Sequence, residues 1–214
     1  MKFIARVLCV LMLSGMLLCA QAEEISDAIR ALIPSDADIL EDQTVGNFRV
    51  LTLELPSGET LELTWDLQQE KPLSLNTLNP VSPLSDSAQS RQEAERVALE
   101  AYPGASVLFA EDPADGGKLV YLLSETLCGE ILISDDDVIS RRIQFGTYAR
   151  DGVLTMEGAL AAMNLYRPNA KLYALELDED DGQLRYEGNA SLNETEYEFE
   201  LDARTFQLLE WERD

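Results

Sequence analysis

The sequence predicts an α+β chain made of tandem copies of one unit, each a single helix packed on an antiparallel meander of about four strands. Three observations carry this. A helix-forming stretch, a proline and then an alanine ahead of a strand recur in that order, at Pro34 with Ala37, Pro103 with Ala105, and Pro168 with Ala170. Period-two alternation of apolar and polar residues follows each alanine. Gly46 to Asp66 and Gly182 to Asp202 have the same spacing, with no gap needed to align them. The middle copy, ending near Asp136-Asp137, aligns with a shift of about one residue, as a bulge would produce. A lone unit of about 50 to 60 residues buries little and is marginal on its own. Tandem copies that share an interface or continue a sheet remove that difficulty.

In chain order, Ser26 and Asp27 cap a short helix through Ile33, and Pro34 stops it. Ala37 to Leu40 reads as a strand. Phe48 to Leu55 alternates, Pro56-Ser57-Gly58 turns, and Glu59 to Asp66 places Leu61, Leu63 and Trp65 on one face. A weaker run follows at Pro72 to Leu75. Residues 77–89 are rich in Asn, Ser and Pro and read as a linker. Ser90-Arg91-Gln92-Glu93 has the spacing of a capping box for a helix to about Tyr102, with Ala94, Val97, Ala98 and Ala101 inward. Strand runs follow at 105–109, 119–123, 130–134 and 138–145, then a short join, Gly146 to Gly152. Thr155 caps a third helix, Met156 to Tyr166, with Ala159, Leu160, Met163, Leu165 and Tyr166 as its stripe. The last meander holds the acidic turn Asp178 to Gly182 and an alternating hairpin, whose dry face carries Tyr197, Phe199 and Leu201. Its wet face carries the glutamates from Glu194 to Glu200.

The first 22 residues have the pattern of a secretory signal. Lys2 and Arg6 precede an apolar run from Val7 to Leu18, too short to span a bilayer comfortably, and cleavage is expected after Ala22. A lipoprotein through Cys19 is disfavoured, because Leu18 stands where a small residue belongs. No later stretch is long and apolar enough to span a membrane. Cleavage removes two bases and no acid, taking the formal charge from −24 to −26. Nucleic acid and anionic lipid both need a basic face, so neither is expected as a partner. Cys9 and Cys19 leave with the signal, so Cys128 remains alone and no internal disulfide forms. It reads as a buried strand or turn residue.

The chain contains no histidine. That excludes Ser-His-Asp and Cys-His nucleophiles, His-ligated zinc and the HExxH helix. No Gly-rich phosphate loop occurs. With 40 acids, carboxylate pairs arise by chance and identify no glycosidase-like site. The acidic turns Asp178 to Gly182 and Ser134 to Asp137 offer oxygens to calcium, but the first departs from the EF-hand pattern, since Leu177 falls at its first position. Trp65 and Trp211 read as packing residues at matching strand ends.

Residues Thr155-Met156-Glu157, Ala159, Ala162, Pro168-Asn169-Ala170, Asp180-Asp181-Gly182, the run Tyr197 to Ala203 and the strand after Thr205 resemble a PepSY domain. Residues 90–146 resemble it less closely, and the first copy weakly. The family has Thr-Gly after its Asp-Ala, where this chain has Thr205-Phe206. The expected organisation is a signal peptide at 1–22, a degenerate PepSY-like unit at 23–76, the linker at 77–89, a PepSY-like domain at 90–146 and a PepSY domain at 153–214. The resemblance implies a non-catalytic, secreted or envelope protein-binding module that regulates or inhibits a peptidase, with no cofactor and with no catalytic or metal-binding residues to carry over. The alternative is an acidic calcium-binding or structural protein of the cell envelope.

Overall fold

The structure, a computed structural model, describes residues 26–30, 32–80, 90–180 and 182–214. The expected signal segment and most of the expected linker lie outside the described residues. The chain divides into two compact units, up to Ala37 and from Asp38 to Asp214. The first contributes a single helical turn, α1 (Asp27–Arg30), shorter than the helix to Ile33 that its apolar stripe predicts. Leu32 and Ile33 donate to the carbonyls three residues back, a tightening that ends the helix ahead of Pro34.

The second unit is α+β, with antiparallel sheets and few helices. Its eight-stranded sheet runs in the order β1-β2-β3-β4-β8-β7-β6-β5. Two meanders build it. The first is β1 (Asp38–Val45), β2 (Phe48–Glu54), β3 (Thr60–Asp66) and β4 (Lys71–Asn79). The second is β5 (Ser106–Glu111), β6 (Lys118–Leu123), β7 (Leu127–Ser134) and β8 (Asp137–Phe145). The strand β4 extends through residues 77–79, which composition assigns to the linker. Thr77 and Asn79 pair with Leu61 and Thr60 of β3, and this pairing overrides their turn-like character.

The meanders join at their last strands. Ser74, Leu75 and Asn76 of β4 face Gln144, Ile143 and Arg142 of β8. One row of residues therefore crosses seven strands on one face: Leu51, Leu63, Leu75, Ile143, Gly129, Leu122 and Val107. Gly129 is required in that row, because a Cβ there would lie 2.1 Å from the Arg142 carbonyl oxygen. Beside the seam, the Glu59 carboxylate is buried. Arg141 Nη2 donates to its Oε2 at 2.9 Å, and Thr77 Oγ1 donates to its Oε1 at 2.7 Å. The Arg141 backbone N–H donates in turn to Thr77 Oγ1 at 3.0 Å, so one threonine hydroxyl bridges the pair and the seam.

Helices cover both faces of the second meander. The helix α2 (Arg91–Ala101), capped by Ser90 Oγ accepting from the Glu93 N–H, buries Ala94, Val97 and Ala98. It packs along β5 to β8, with Arg96 reaching Asp136 and Tyr102 near Arg141. Ala101, expected inward, is exposed. The other face carries Leu108, Tyr121, Leu123 and Cys128, which share a core with α3 (Met156–Tyr166). That core also takes Tyr186, Phe199 and Leu201 from the third meander: β11 (Lys171–Asp180), β12 (Gln183–Leu192), β13 (Thr195–Asp202) and β14 (Leu208–Arg213). Residues 90–146 and 153–214 thus share one core. The expected join is a small hairpin, β9 (Ala149–Arg150) and β10 (Val153–Leu154), with Tyr148, Ala149 and Leu154 buried in that core.

Small residues set how closely α3 approaches. It buries Gly158, Ala159, Ala162 and Met163, while Leu160, assigned by periodicity to the inner stripe, is 42% exposed. A Cβ on Gly158 would fall 1.7 Å from the Tyr148 carbonyl oxygen, which itself accepts from the Thr155 N–H. Gly158→Ala is expected to lower stability by about 2–3 kcal/mol through this backbone clash, despite alanine's better helix propensity. A chemical denaturation midpoint equal to wild type would refute the contact.

The three first strands share a detail. Register slips at Leu40 in β1, Leu108 in β5 and Tyr173 in β11, in each case three residues after Ala37, Ala105 or Ala170.

Candidate functional site

The acids singled out in the sequence separate into turn formers and a charged sheet face. Asp202 Oδ1 accepts from the Arg204 and Thr205 N–H groups at 2.8 and 2.7 Å. Asp66 Oδ1 accepts from the Gln68 and Gln69 N–H groups at 2.8 and 3.0 Å. Each carboxylate closes an Asx-type turn between the last two strands of its meander. Four residues on, Glu70 and Phe206 both take positive φ, at 50° and 65°. Asp135 and Asp136 form a tight left-handed hairpin turn (φ 49° and 67°), shorter than the turns that follow Asp66 and Asp202. Among the described residues, no group of three or more His, Cys, Asp or Glu side chains is arranged to hold a metal ion.

Cys128 sits in β7, 6% exposed, and burial pushes its thiol up to about 12. It stays protonated at neutral pH, as an inert core thiol does.

The third meander presents a different surface. Its inner face carries Phe199 and Leu201, with Tyr197 stacked on Trp211 at 4.6 Å and the Arg167 guanidinium 5.2 Å over the Trp211 ring. Its outer face is acidic. Glu176, Glu187, Glu200 and Glu210 stand in one row across β11, β12, β13 and β14. The adjacent row brings Glu198 opposite Glu212. Glu187, Glu200 and Glu210 line a cavity of about 210 Å³ with Gly188, Asn189, Glu198 and Phe199. Arg185 is set into this field and donates to Glu200 Oε2 at 3.0 Å. Like charges placed directly opposite each other across strands destabilise a sheet, so this face carries an electrostatic cost that the fold does not require.

The second meander shows the contrast. Its matching face, read outward from the bulge, carries Phe109, Leu119, Tyr121 and Leu123 and is packed into the shared core. At the places matching Leu119 and Leu132 of the second meander, the third has Glu187 and Glu200. The alternation Glu196, Glu198, Glu200 signals this wet face in the sequence, but the four-strand row depends on register between strands. Edges are also exposed. The strand β1 is exposed along its whole length, and β14 pairs with β13 alone among the described residues.

Titration of these groups sets a pH dependence. Repulsion from Glu212, with burial and Glu200 adding to it, holds the Glu210 carboxyl above the ordinary value of 4.5. Burial raises Glu59 above the same value, outweighing the Thr77 hydrogen bond and the Arg141 charge. Both groups contribute stability that is present below 4.5 and is lost as pH rises through their raised folded values. Asp202 runs the other way. Burial alone would raise it, but the Thr205 and Arg204 N–H groups outweigh burial and hold it below 3.8, so its contribution is lost as pH falls through that lower value. The melting temperature is therefore expected to be higher at pH 5 than at pH 8, and to drop again below pH 3.8. A thermal melt series that instead rises from pH 5 to pH 8 would contradict the assignment.

Residues 153–211 match the family described as PepSY, peptidase propeptide and YPEB domain. Among solved structures, the chain is similar to the Bacillus megaterium YpeB C-terminal domain, at 14% identity and a TM-score of 0.43 over 89% of this chain and 98% of that one. It is also similar to a Clostridium difficile 630 chain provisionally classed as a lipoprotein, at 14% identity and a TM-score of 0.27 over 59% of this chain and 97% of that one. No curated protein matches.

Proposed function

From the premise that residues 153–211 are a PepSY domain, we propose that this chain is a non-catalytic, extracytoplasmic protein-binding module that restrains a peptidase. The family match carries this reading, since PepSY domains accompany peptidases as propeptides and are generally non-catalytic. Other observations support it. The chain has no histidine, and its described cysteine is buried and protonated at neutral pH. No helix among the described residues is long and apolar enough to cross a membrane, and the first 22 residues have the pattern of a cleaved signal.

On this reading the three meanders descend from one unit, with 23–76 the degenerate copy, 90–146 the intermediate one and 153–214 the clearest. The common bulge position and the matched Asp66 and Asp202 turns support that descent. Binding occurs through exposed strand edges and the acidic face, because the apolar second face of the middle meander is already used inside the molecule. The test is a pull-down from the secreted and envelope fraction with the full chain as bait. Recovery of a peptidase whose activity falls on binding is the expected result. Recovery of no protein above background would overturn the reading.

A further inference from the structure

The seam between the first two meanders shows how this unit accepts another strand. In β4 an extra residue, Leu73, breaks the register where Thr64 faces Ser74 and Trp65 faces Pro72. The next three residues, Ser74, Leu75 and Asn76, then take β8 as an antiparallel neighbour. In β14 the same break falls at Leu209, where Glu200 faces Glu210 and Leu201 faces Leu208. Thr64 stands two residues before Asp66, and Glu200 two before Asp202, so the two bulges are at equivalent places. The residues of β14 that match Ser74, Leu75 and Asn76 are therefore Glu210, Trp211 and Glu212. In β4 this stretch is paired. In β14 it forms the outer edge of the four-stranded sheet.

We propose that this edge of β14 takes an extended basic segment of a partner protein, added antiparallel as a fifth strand in the way that β8 adds to β4. The proposal rests on the protein-binding reading above and gives the partner's chemistry. An edge strand offers unpaired backbone N–H and C=O groups, and side chains at alternate positions give specificity. Glu210 and Glu212 lie on the outer face, in register with Glu200 and Glu198. Residues of the added strand opposite them meet a field of carboxylates, which selects Lys or Arg. The residue between them, opposite Trp211, lies on the inner side, where Trp211 stacks with Tyr197, and is apolar. The occupant is thus a basic-apolar-basic extended segment. The seam carries a version of this pattern, since Arg142, Ile143 and Gln144 lie along β4. A second copy of this chain does not fit, because pairing β14 with itself sets Glu210 and Glu212 against their own counterparts.

The test uses the full chain and two short extended peptides, one alternating Lys with Val and one alternating Glu with Val. Amide exchange at Glu210 to Glu212 and Trp211 fluorescence report docking. The Lys peptide is expected to bind and slow exchange at those amides, and the Glu peptide is expected not to. Glu210→Lys combined with Glu212→Lys should weaken the Lys peptide by about tenfold or more and confer binding of the Glu peptide, with a melting temperature no lower than that of the wild type showing that the sheet is intact. Absence of Lys-peptide binding, binding without protection of residues 210–212, or indifference to the charge reversal would each overturn the inference, as would self-association through β14. These outcomes are separable from the pull-down. A partner recovered there can use another surface, and a docked peptide does not rescue the module reading if no partner is recovered.

Discussion

Replacing Arg141 by alanine is expected to destabilise the chain by about 3–5 kcal/mol, the range for removing one member of a buried ion pair. The cost arises from what is left behind. Glu59 is 2% exposed, and its carboxylate has the Arg141 guanidinium at 2.9 Å and the Thr77 hydroxyl at 2.7 Å. Even with both partners present, burial keeps its carboxyl above 4.5. Without the guanidinium the buried carboxylate takes up a proton or draws in water. The loss should therefore grow with pH, because the neutral acid is tolerated below the raised value and the anion is not above it. Two further variants separate the pair's charge from its packing. Glu59→Met with Arg141→Leu removes both charges together and should recover most of the lost stability, since apolar replacements of a buried pair are often neutral. Thr77→Val removes the acceptor for the Arg141 N–H and should cost about 1–3 kcal/mol by itself. Denaturant unfolding at two pH values decides the matter. An Arg141→Ala loss independent of pH would mean that Glu59 is not the group responsible.

This pair was out of reach of sequence reading for a physical reason. Glu59 and Arg141 are 82 residues apart, and they meet because two meanders join at β4 and β8. The segment just past the join, Thr77 to Asn79, has the composition of a linker, and its pairing with β3 and the Thr77 bonds to Glu59 and Arg141 make it structural. Features governed by local chemistry were legible. Period-two alternation located β3 to within a residue and separated the two faces of β13, and the caps at Ser90 and Thr155 located α2 and α3. The turns at Asp66 and Asp202 were visible as a shared spacing, and both use the carboxylate alike. Properties set by a neighbouring element were not legible. Leu160 and Ala101 satisfy helical periodicity but point away from their partners, because the inner stripes of α2 and α3 are narrow and made of small residues. The glutamate row across β11 to β14 is likewise a product of register. Single-strand alternation predicts that each glutamate is wet, and says nothing of which glutamates stand opposite one another.

The second large effect is expected at Phe206, where the chain departs from the family's Thr-Gly. Its backbone is left-handed, at φ 65°, a region that favours glycine, and its ring is buried in the core shared with α3. Tyr166 Oη donates to its carbonyl at 3.1 Å, tying the turn to the end of that helix. Two opposed terms meet in one residue. Ring burial favours phenylalanine, and deleting a buried ring costs about 3–5 kcal/mol. The left-handed backbone disfavours any L side chain by about 1–2 kcal/mol. Phe206→Ala loses the ring and keeps the strain, so it should show the full loss. Phe206→Gly loses the ring and relieves the strain, and should be more stable than Phe206→Ala by about 1 kcal/mol, the reverse of the usual order of alanine and glycine. Glu70 supplies the control, because it holds the equivalent place after Asp66 at φ 50° but is exposed. With no buried side chain to lose, Glu70→Gly should raise stability by up to about 1 kcal/mol. If Phe206→Gly proves less stable than Phe206→Ala, strain at this turn is not significant. Phenylalanine would then be retained there for its ring alone, with no backbone penalty to overcome.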